Sequence, residues 1–320
     1  MNIYSEVMQD ISREKTKREN LKNLRIKEVY KSIPRIKEID SQITELGIQY
    51  VNKALQNVNI ESLKGEISLL KKEKESLLKA NYSLDYLSNN YSCNLCKDTG
   101  NLNFTRCNCV KTRVINKYIK ISGLDYILGK ENFDNFDIRY FSNIVNPDLG
   151  ISPLESIQAI YKEALNFCKS FDVNYSNLLF YGDPGLGKTF ICNCISKEII
   201  DMGKPVLYVT SPQLAKHIES ERFKKDEESI IQSIEIYYNC PLLIIDDLGT
   251  EFSTIVTQSE LFNIINFRLL KRYSTIISTN LNPADLANMY STRLVSRIFG
   301  EYKTFKFIGN DIRIQKKMNI

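Results

Sequence analysis

Residues 182–189 read Gly-Asp-Pro-Gly-Leu-Gly-Lys-Thr, a complete Gly-x-x-x-x-Gly-Lys-[Ser/Thr] pattern. The apolar run 177–181 precedes it and 190–200 has helical periodicity, so the pattern lies between a predicted strand and a predicted helix. Its glycines let successive backbone N–H groups point at one anion, beside the positive end of the helix dipole. Lys188 is expected to reach the β- and γ-phosphates, and the Thr189 hydroxyl to ligate Mg²⁺. We therefore predict an ATP site formed by Gly182, Asp183, Pro184, Gly185, Leu186, Gly187, Lys188 and Thr189.

A second apolar run, 242–245, ends in the adjacent carboxylates Asp246 and Asp247. A strand beside the phosphate-loop strand would deliver Asp246 beneath the Mg²⁺, where it holds the ion through water. Asp247 is our candidate for orienting or deprotonating the attacking water. Glu251 is a second candidate for that role. The pattern predicts ATP hydrolysis with Mg²⁺ as cofactor.

Polar residues follow a later predicted strand. The run 274–279 ends just before Asn280, whose amide would lie at the same sheet edge and hold the lytic water; the alternative is a turn ahead of the next helix. Arg293 and Arg297 are four apart and share one helical face. Such a face suits donation of a guanidinium to phosphate on a neighbouring subunit, which raises hydrolysis by about 10³–10⁵-fold. The alternative is an exposed charged face.

Short apolar runs alternate with long helical stretches from residue 152 onward. This alternation predicts an α/β fold with a parallel sheet and crossover helices on its faces. The predicted strands are 177–181, 205–210, 241–245 and 274–279.

Four cysteines are spaced Cys93-x2-Cys96-x10-Cys107-x-Cys109. Two tight pairs presented from turns can surround one tetrahedral Zn²⁺, which is our prediction; a 4Fe–4S cluster or two disulfides would also use four cysteines. The segment has too few apolar residues to form its own core, so the metal would supply most of its folding free energy, about 10 kcal/mol for structural zinc. With sulfur in all four positions, the predicted role is structural.

Residues 1 to about 80 are rich in Lys, Glu, Ile and Leu, and Pro34 is expected to end or kink a first helix that starts near Ser5. Two apolar stripes follow at helical spacing and predict a helical hairpin or short coiled coil. The stripes either pack on each other or leave apolar surface for a partner protein. Their members are Ile36, Ile39, Ile43, Leu46 and Tyr50, then Ile60, Leu63, Ile67, Leu70 and Leu77.

The length of 320 residues and the 43% hydrophobic content fit a full α/β domain with a smaller appended module. The formal charge of +5 permits contact with nucleic acid without demanding it. No signal pattern and no long apolar span is evident, so we expect a cytoplasmic protein without a membrane partner. The predicted parts are a helical region at 1–82, a four-cysteine module at 83–120, an aromatic linker at 121–150 and an ATPase domain at 151–320.

The phosphate loop, the Leu-Ile-Ile-Asp-Asp-Leu-Gly-Thr-Glu stretch ending at Glu251, Ser-Thr-Asn280 and Ser-Arg297-Ile occur in this order within residues 150–315. This region resembles the DnaC/DnaI family of bacterial replicative helicase loaders, which are AAA+ ATPases. The resemblance implies an AAA+ P-loop domain preceded by a helical or coiled-coil segment and a small zinc-binding module. It also implies Asn280 as sensor 1, Arg297 as the arginine finger with Arg293 beside it, and Arg313 as a candidate late sensor arginine.

The resemblance extends to function. It implies an ATPase that hydrolyses ATP on assembly, self-assembles on ATP, contacts single-stranded DNA and binds the hexameric replicative helicase through its N-terminal region. The segment 131–137 resembles the aromatic stretch that lies near the adenine in such loaders; the alternative is a hydrophobic tether packed on the core. Two departures are the absence of a histidine from the cysteine cluster and the length of the preceding helical segment. The alternatives are a transposase-helper ATPase that binds DNA, and a DNA-binding adaptor with a vestigial ATP site.

Overall fold

The structure is a computed structural model that describes residues 3–56, 60–83, 85–88, 90–103, 105–222, 234–251 and 254–318. Two compact units are present. One consists of Met8–Cys107, and the other of Asn108–Ile320 together with Met1–Val7. None of the helices in these ranges is long and apolar enough to cross a membrane.

The first unit contains most of α1 (Ile3–Ser32), together with α2 (Pro34–Leu55) and α3 (Glu61–Asn81). It also contains the short strands β1 (Asn101–Leu102) and β2 (Thr105–Arg106). Pro34 occupies the first turn of α2, where its missing N–H is tolerated, so it separates α1 from α2 as predicted. Helices α2 and α3 pack against each other, and Lys74 Nζ lies 2.5 Å from Asp40 Oδ1 across this contact. The predicted helical pairing is present.

The second unit contains a five-stranded, entirely parallel sheet. In chain order its strands are β3 (Leu178–Tyr181), β4 (Val206–Thr210), β5 (Leu242–Leu248), β6 (Ser274–Thr279) and β7 (Lys303–Lys306). Their order across the sheet is β4-β5-β6-β3-β7. Four of these strands match the predicted runs, and β7 is an additional strand that the sequence pattern did not reveal. The predicted α/β class is confirmed.

Helices alternate with these strands, as parallel pairing requires. The first of them, α4 (Asn108–Ser122), packs against β4, and α5 begins with a Ser152–Glu155 capping box. The helices after α4 are α5 (Pro153–Ser170), α6 (Lys188–Asp201), α7 (Ser211–Arg222), α8 (Ile255–Lys271), α9 (Pro283–Met289), α10 (Thr292–Glu301) and α11 (Ile312–Met318). Because the helices cover the sheet, the apolar residues of β3 and β5 are almost wholly buried. The phosphate loop and the Asp246–Asp247 pair lie at or just after the carboxyl ends of these strands.

Candidate nucleotide site and cysteine cluster

The phosphate loop joins β3 to α6 through three glycines with positive φ. The φ angles are +139° at Gly182, +78° at Gly185 and +96° at Gly187, a region that side chains rarely adopt. A Cβ on Gly182 would come within 2.4 Å of the Phe307 carbonyl oxygen. The glycines are therefore required both by the backbone conformation and by the close approach of the neighbouring chain.

Lys188, the first residue of α6, is buried beneath this loop. Its Nζ donates hydrogen bonds to the carbonyl oxygens of Gly182 at 2.7 Å and Asp183 at 2.8 Å. Burial lowers the pKa of its ammonium, and the nearby charge of Asp247 opposes that shift. Carbonyl oxygens carry no formal negative charge, so an incoming phosphate would supply a charged partner for the Lys188 side chain.

Asp246 lies at the carboxyl end of β5 and accepts three side-chain hydroxyls. Thr189 Oγ1 lies 3.0 Å from Asp246 Oδ2, and Tyr208 Oη lies 2.6 Å from the same oxygen. Ser278 Oγ donates to Asp246 Oδ1. The structure thus brings together the two residues predicted to hold Mg²⁺, Thr189 and Asp246, and their hydroxyl and carboxylate oxygens are the hard ligands that this ion takes.

Asp247 follows Asp246 with a positive φ of +57°, and its side chain contacts the amide predicted to hold the lytic water. The Asn280 Nδ2 lies 3.4 Å from Asp247 Oδ1. Burial, followed by the neighbouring charge of Asp246, raises the pKa of Asp247, while Lys188 oppositely lowers it. The structure thus brings Asp247 next to Asn280, the amide predicted to hold the lytic water, as a general base would require.

A cavity of about 260 Å³ connects these groups. Its phosphate-loop side includes Pro184, Gly185, Gly187, Lys188 and Thr189, with Asp247 and Asn280 beside them. Aromatic and apolar side chains form another part of the wall: Phe136, Tyr140, Phe141, Ile157 and Phe190. Leu186 points away from the cavity into the core and is buried. A polar loop and an aromatic wall in one cavity suit the phosphates and the base of a nucleotide.

The aromatic linker contributes to this wall and also packs against the core. The Phe136 ring centroid lies 4.8 Å from that of Tyr161 and 6.2 Å from that of Phe190. Phe133 meets Tyr161 edge to face. The segment was predicted either to lie near the adenine or to act as a hydrophobic tether on the core. The two interpretations are compatible, because Phe136 both packs on the core and lines the cavity.

Arg313 also lines this cavity, on the short helix α11. The helix is fixed to the phosphate loop by the Ile312 N–H, which donates to the Gly185 carbonyl oxygen at 3.0 Å. The pKa of Asp247 is raised mainly by burial, and the positive charge of Arg313 partly opposes this rise. The guanidinium is therefore within electrostatic reach of that carboxylate. This position agrees with a sensor arginine that acts on its own subunit.

The two arginines of α10 lie elsewhere. Arg293 and Arg297 are exposed, whereas Leu294 and Ile298 on the opposite face of the helix are buried. Neither arginine lines the cavity, and within the described part of the chain neither has a hydrogen-bond or ion-pair partner. The structure therefore separates them from the predicted site residues of their own subunit.

Glu251 is likewise not brought into the cavity. Its Oε2 accepts hydrogen bonds from Ser211 Oγ at 2.6 Å and from the Gly249 N–H at 2.9 Å, and Tyr290 Oη donates to its Oε1. Both carboxylate oxygens therefore hold the segment after β5. This position does not support the water-activating role predicted for Glu251, and Asp247 is the better placed of the two candidates.

The four predicted cysteines form one group whose Sγ atoms all lie within 4.8 Å of one another. Cys93 Sγ lies 3.7 Å from Cys107 Sγ, close to the edge of about 3.8 Å that four sulfurs make around Zn²⁺ at about 2.3 Å. None of these four cysteines is joined in a disulfide in the structure. The donor set thus fits a structural zinc ion.

Local backbone geometry presents these thiols from turns. The strands β1 (Asn101–Leu102) and β2 (Thr105–Arg106) form a small antiparallel hairpin between the two cysteine pairs. The Cys107 N–H donates to the Gly100 carbonyl oxygen at 2.9 Å. Hydrogen bonds led by the Cys96 backbone lower the pKa of Cys93 to about 7, which favours the thiolate that a metal needs.

Two hydroxyl residues that hold Asp246 escaped the sequence interpretation. Tyr208 lies in the middle of β4, and aromatic residues are common in strands, so the sequence did not single it out. Ser278 lies in β6 two residues before Asn280, where a polar side chain inside an apolar run was the available signal. Their contact with Asp246 depends on which strands are neighbours in the sheet, and no single segment of the sequence indicates the strand order.

Residues 155–301 match the profile of the bacterial DnaA ATPase domain. The chromosomal replication initiator protein DnaA of Campylobacter concisus is 31% identical over 167 residues, which cover 50% of this chain and 36% of that protein. The chain thus spans little more than a third of the length of this relative. These matches concern the ATPase domain and do not distinguish a loader in particular.

Solved structures with similar folds include AMPPCP-bound DnaA from Aquifex aeolicus and the DnaC helicase loader. The first has a TM-score of 0.46 and 24% identity, and covers 61% of this chain and 58% of that one. The second has a TM-score of 0.47 and 22% identity, and covers 57% of this chain and 99% of that one. The profile match and the phosphate loop indicate that residues 155–301 belong to a P-loop ATPase domain similar to that of bacterial DnaA, and its parallel sheet extends to β7 just beyond them.

Proposed function

We propose that this protein is an ATP-switched loader of the replicative DNA helicase. The observation that carries the proposal is a division of the ATP machinery. Lys188, Thr189, Asp247 and Asn280 line one cavity within the chain, and the buried Asp246 contacts the Thr189 hydroxyl beside it. The two arginines suited to a neighbour's phosphate are exposed outside that cavity. A site divided in this way works only in an assembly, so ATP acts as a switch for assembly.

The residues of the cavity have complementary roles in hydrolysis. Lys188 and the loop N–H groups bind the phosphates, and Thr189 and Asp246 hold the Mg²⁺, which neutralises phosphate charge when bound. Asn280 orients the attacking water, and Asp247 receives its proton. Arg297 of an adjacent subunit completes the charge stabilisation in the transition state, with Arg293 beside it.

The N-terminal part of the chain supports the choice of partner. Residues 1–154 lie outside the match to DnaA and contain the helical hairpin and the cysteine cluster. Helix α2 exposes an apolar stripe at Ile48, Val51 and Leu55, which are 60%, 55% and 79% exposed. Exposed apolar residues at helical spacing suit docking of a partner protein, and we assign this face, with the cysteine module, to the helicase. Contact of the ATPase domain with single-stranded DNA follows from the family resemblance.

Co-purification with the host replicative helicase tests this function. The tagged chain is mixed with the helicase with and without ATP, and Lys188→Ala is the nucleotide-free control. We expect a complex that contains both proteins and places the helicase on single-stranded DNA only when ATP binds. A chain that assembles on ATP without retaining the helicase would contradict the loader function while leaving ATP binding intact.

The match to DnaA favours a second candidate, a DnaA-like replication initiator. Binding of the purified chain to duplex fragments of the host origin, together with no capture of the helicase, would favour this candidate over the loader.

A further inference from the structure

Asp246 is held by three hydroxyls that come from three different elements. Thr189 lies on α6, Tyr208 on β4 and Ser278 on β6. A carboxylate offers about four lone-pair positions, so three donors leave about one for an ion or its water. The positions of the three donors thereby determine which lone pair of Asp246 remains available to an ion or its water.

The donors differ in what they do when the ion is bound. The Thr189 hydroxyl is itself an Mg²⁺ ligand, so its geometry depends on the ion. Tyr208, Ser278 and Asp246 itself are buried and do not line the cavity, whereas Thr189 does. Tyr208 and Ser278 are therefore not expected to be metal ligands, and their hydrogen bonds to Asp246 do not require an ion. They are therefore the groups able to fix Asp246 in advance.

Tyr208 is fixed at both ends. Its ring is only 8% exposed, and its hydroxyl lies 2.6 Å from Asp246 Oδ2. Its backbone N–H donates to Ser122 Oγ, at the end of α4, at 2.9 Å.

We propose that Tyr208 is a positioning residue for the magnesium site. By holding Asp246 Oδ2, it would fix the orientation of the carboxylate that is to hold an Mg²⁺ bound with ATP. The inference rests on the ATP binding of the proposed function. It predicts an effect on the metal and not on nucleotide affinity in general, since Tyr208 does not line the cavity.

The test is Tyr208→Phe, which removes one oxygen atom. Mn²⁺ bound to the protein–nucleotide complex is measured by electron paramagnetic resonance, and affinity for a fluorescent ATP analogue is measured with EDTA and with Mg²⁺. Outer-shell partners of metal ligands typically contribute about 10-fold or more to metal affinity, so we expect about 10-fold weaker Mn²⁺ binding. Affinity for the analogue in EDTA should stay within about twofold of wild type, as expected for a residue that does not contact the phosphates.

Tyr290→Phe is the matched control. Tyr290 is also buried and its hydroxyl also donates to a carboxylate, but that carboxylate is Glu251, outside the cavity. This variant should lose stability and keep the Mn²⁺ affinity of wild type. Ser278→Ala, which removes the donor to the other oxygen of Asp246, should weaken Mn²⁺ as Tyr208→Phe does and gives a second measurement if the latter folds poorly.

An unchanged Mn²⁺ affinity in both Tyr208→Phe and Ser278→Ala overturns the proposal, as does an equal loss in Tyr290→Phe. A wild-type chain that binds Mg²⁺ and nucleotide but not the helicase would contradict the loader function and leave this inference standing. A wild-type chain that binds no nucleotide would overturn both.

Discussion

Asn280 Nδ2 lies 3.4 Å from Asp247 Oδ1, so an amide from β6 and a carboxylate from β5 meet at one edge of the sheet. The contact favours the charged form of Asp247, whereas burial and the charge of Asp246 disfavour it. The net result is a raised pKa for the carboxylate that we assign as the general base. Its protonation state should therefore limit hydrolysis on the acid side.

The first prediction concerns that acid limb. Asp247 must be ionised to accept a proton, so hydrolysis falls as the pH drops through its raised pKa. Asn280→Ala removes a hydrogen bond to the ionised form, raises this pKa further and moves the limb to higher pH. The pH dependence of kcat checks this. Asn282→Ala is the control, because the Asn282 side chain caps α9 and does not line the cavity; identical limbs in both variants would contradict the assignment.

The second prediction concerns Arg297. Arg297→Ala should bind ATP normally and lose about 10³-fold or more of the assembly-dependent hydrolysis, since an arginine finger contributes that much. Lys188→Ala should lose nucleotide binding. Mixing the two inactive variants should restore part of the activity, because one supplies an intact cavity and the other an intact arginine. Steady-state hydrolysis of the mixture across mixing ratios checks this, and no recovery would argue against a finger that acts between subunits.

The third prediction concerns Gly185. A Cβ at this position would lie 2.2 Å from the Asp311 carboxyl group, which accepts a hydrogen bond from the Arg313 N–H at the start of α11. Gly185→Ala should therefore displace α11 as well as strain a backbone at φ +78°. Gly203→Ala measures the strain alone, about 1–2 kcal/mol, since Gly203 has φ +77° and nothing within 4 Å of its Cβ position.

The excess loss in Gly185→Ala over Gly203→Ala reports the contact with Asp311. It is measured as the difference in free energy of unfolding and as loss of binding of a fluorescent ATP analogue. Asp311→Ala in the Gly185→Ala background should recover part of the loss. If the two glycine variants behave alike, α11 does not depend on the loop.

The fourth prediction concerns the cysteine cluster. The purified chain should contain one zinc ion, and Cys107→Ser should lower the bound zinc well below one per chain because a hydroxyl is a poor replacement for a thiolate. Cys168→Ser should keep the metal, since Cys168 is buried in the ATPase core away from the cluster. Elemental analysis and the number of thiols that become reactive on adding a chelator check this. Bound iron in place of zinc would contradict the assignment.

Much of the ATPase fold was predictable because its signals are local. The phosphate loop and the four predicted strands are contiguous patterns, and burial on both faces makes β3 and the first four residues of β5 continuously apolar. Strand β7 escaped because Lys-Thr-Phe-Lys is short, charged at both ends and largely exposed. It pairs with β3 by its backbone, and backbone pairing leaves little trace in such a sequence.

The residues of the candidate site also differ in whether the local sequence predicts them. Thr189, Asp246, Asp247 and Asn280 were predictable because each follows or lies within a recognisable run. Tyr208 was not, since its role depends on β4 lying next to β5. For Glu251, the sequence distance from Asp247 was short but the chain turns after β5, and Ser211 and Gly249 engage its carboxylate.

Helix α4 has a consequence for solubility. Strand β4 is an outer strand of the five-stranded sheet, and an uncovered outer strand is a template for pairing with other chains. Helix α4 packs against β4, and Ser122 Oγ accepts the N–H of Tyr208. The same helix starts at Asn108, within the cysteine cluster. A fragment that begins after residue 122 would therefore leave this strand open, and we expect it to aggregate where the full chain does not.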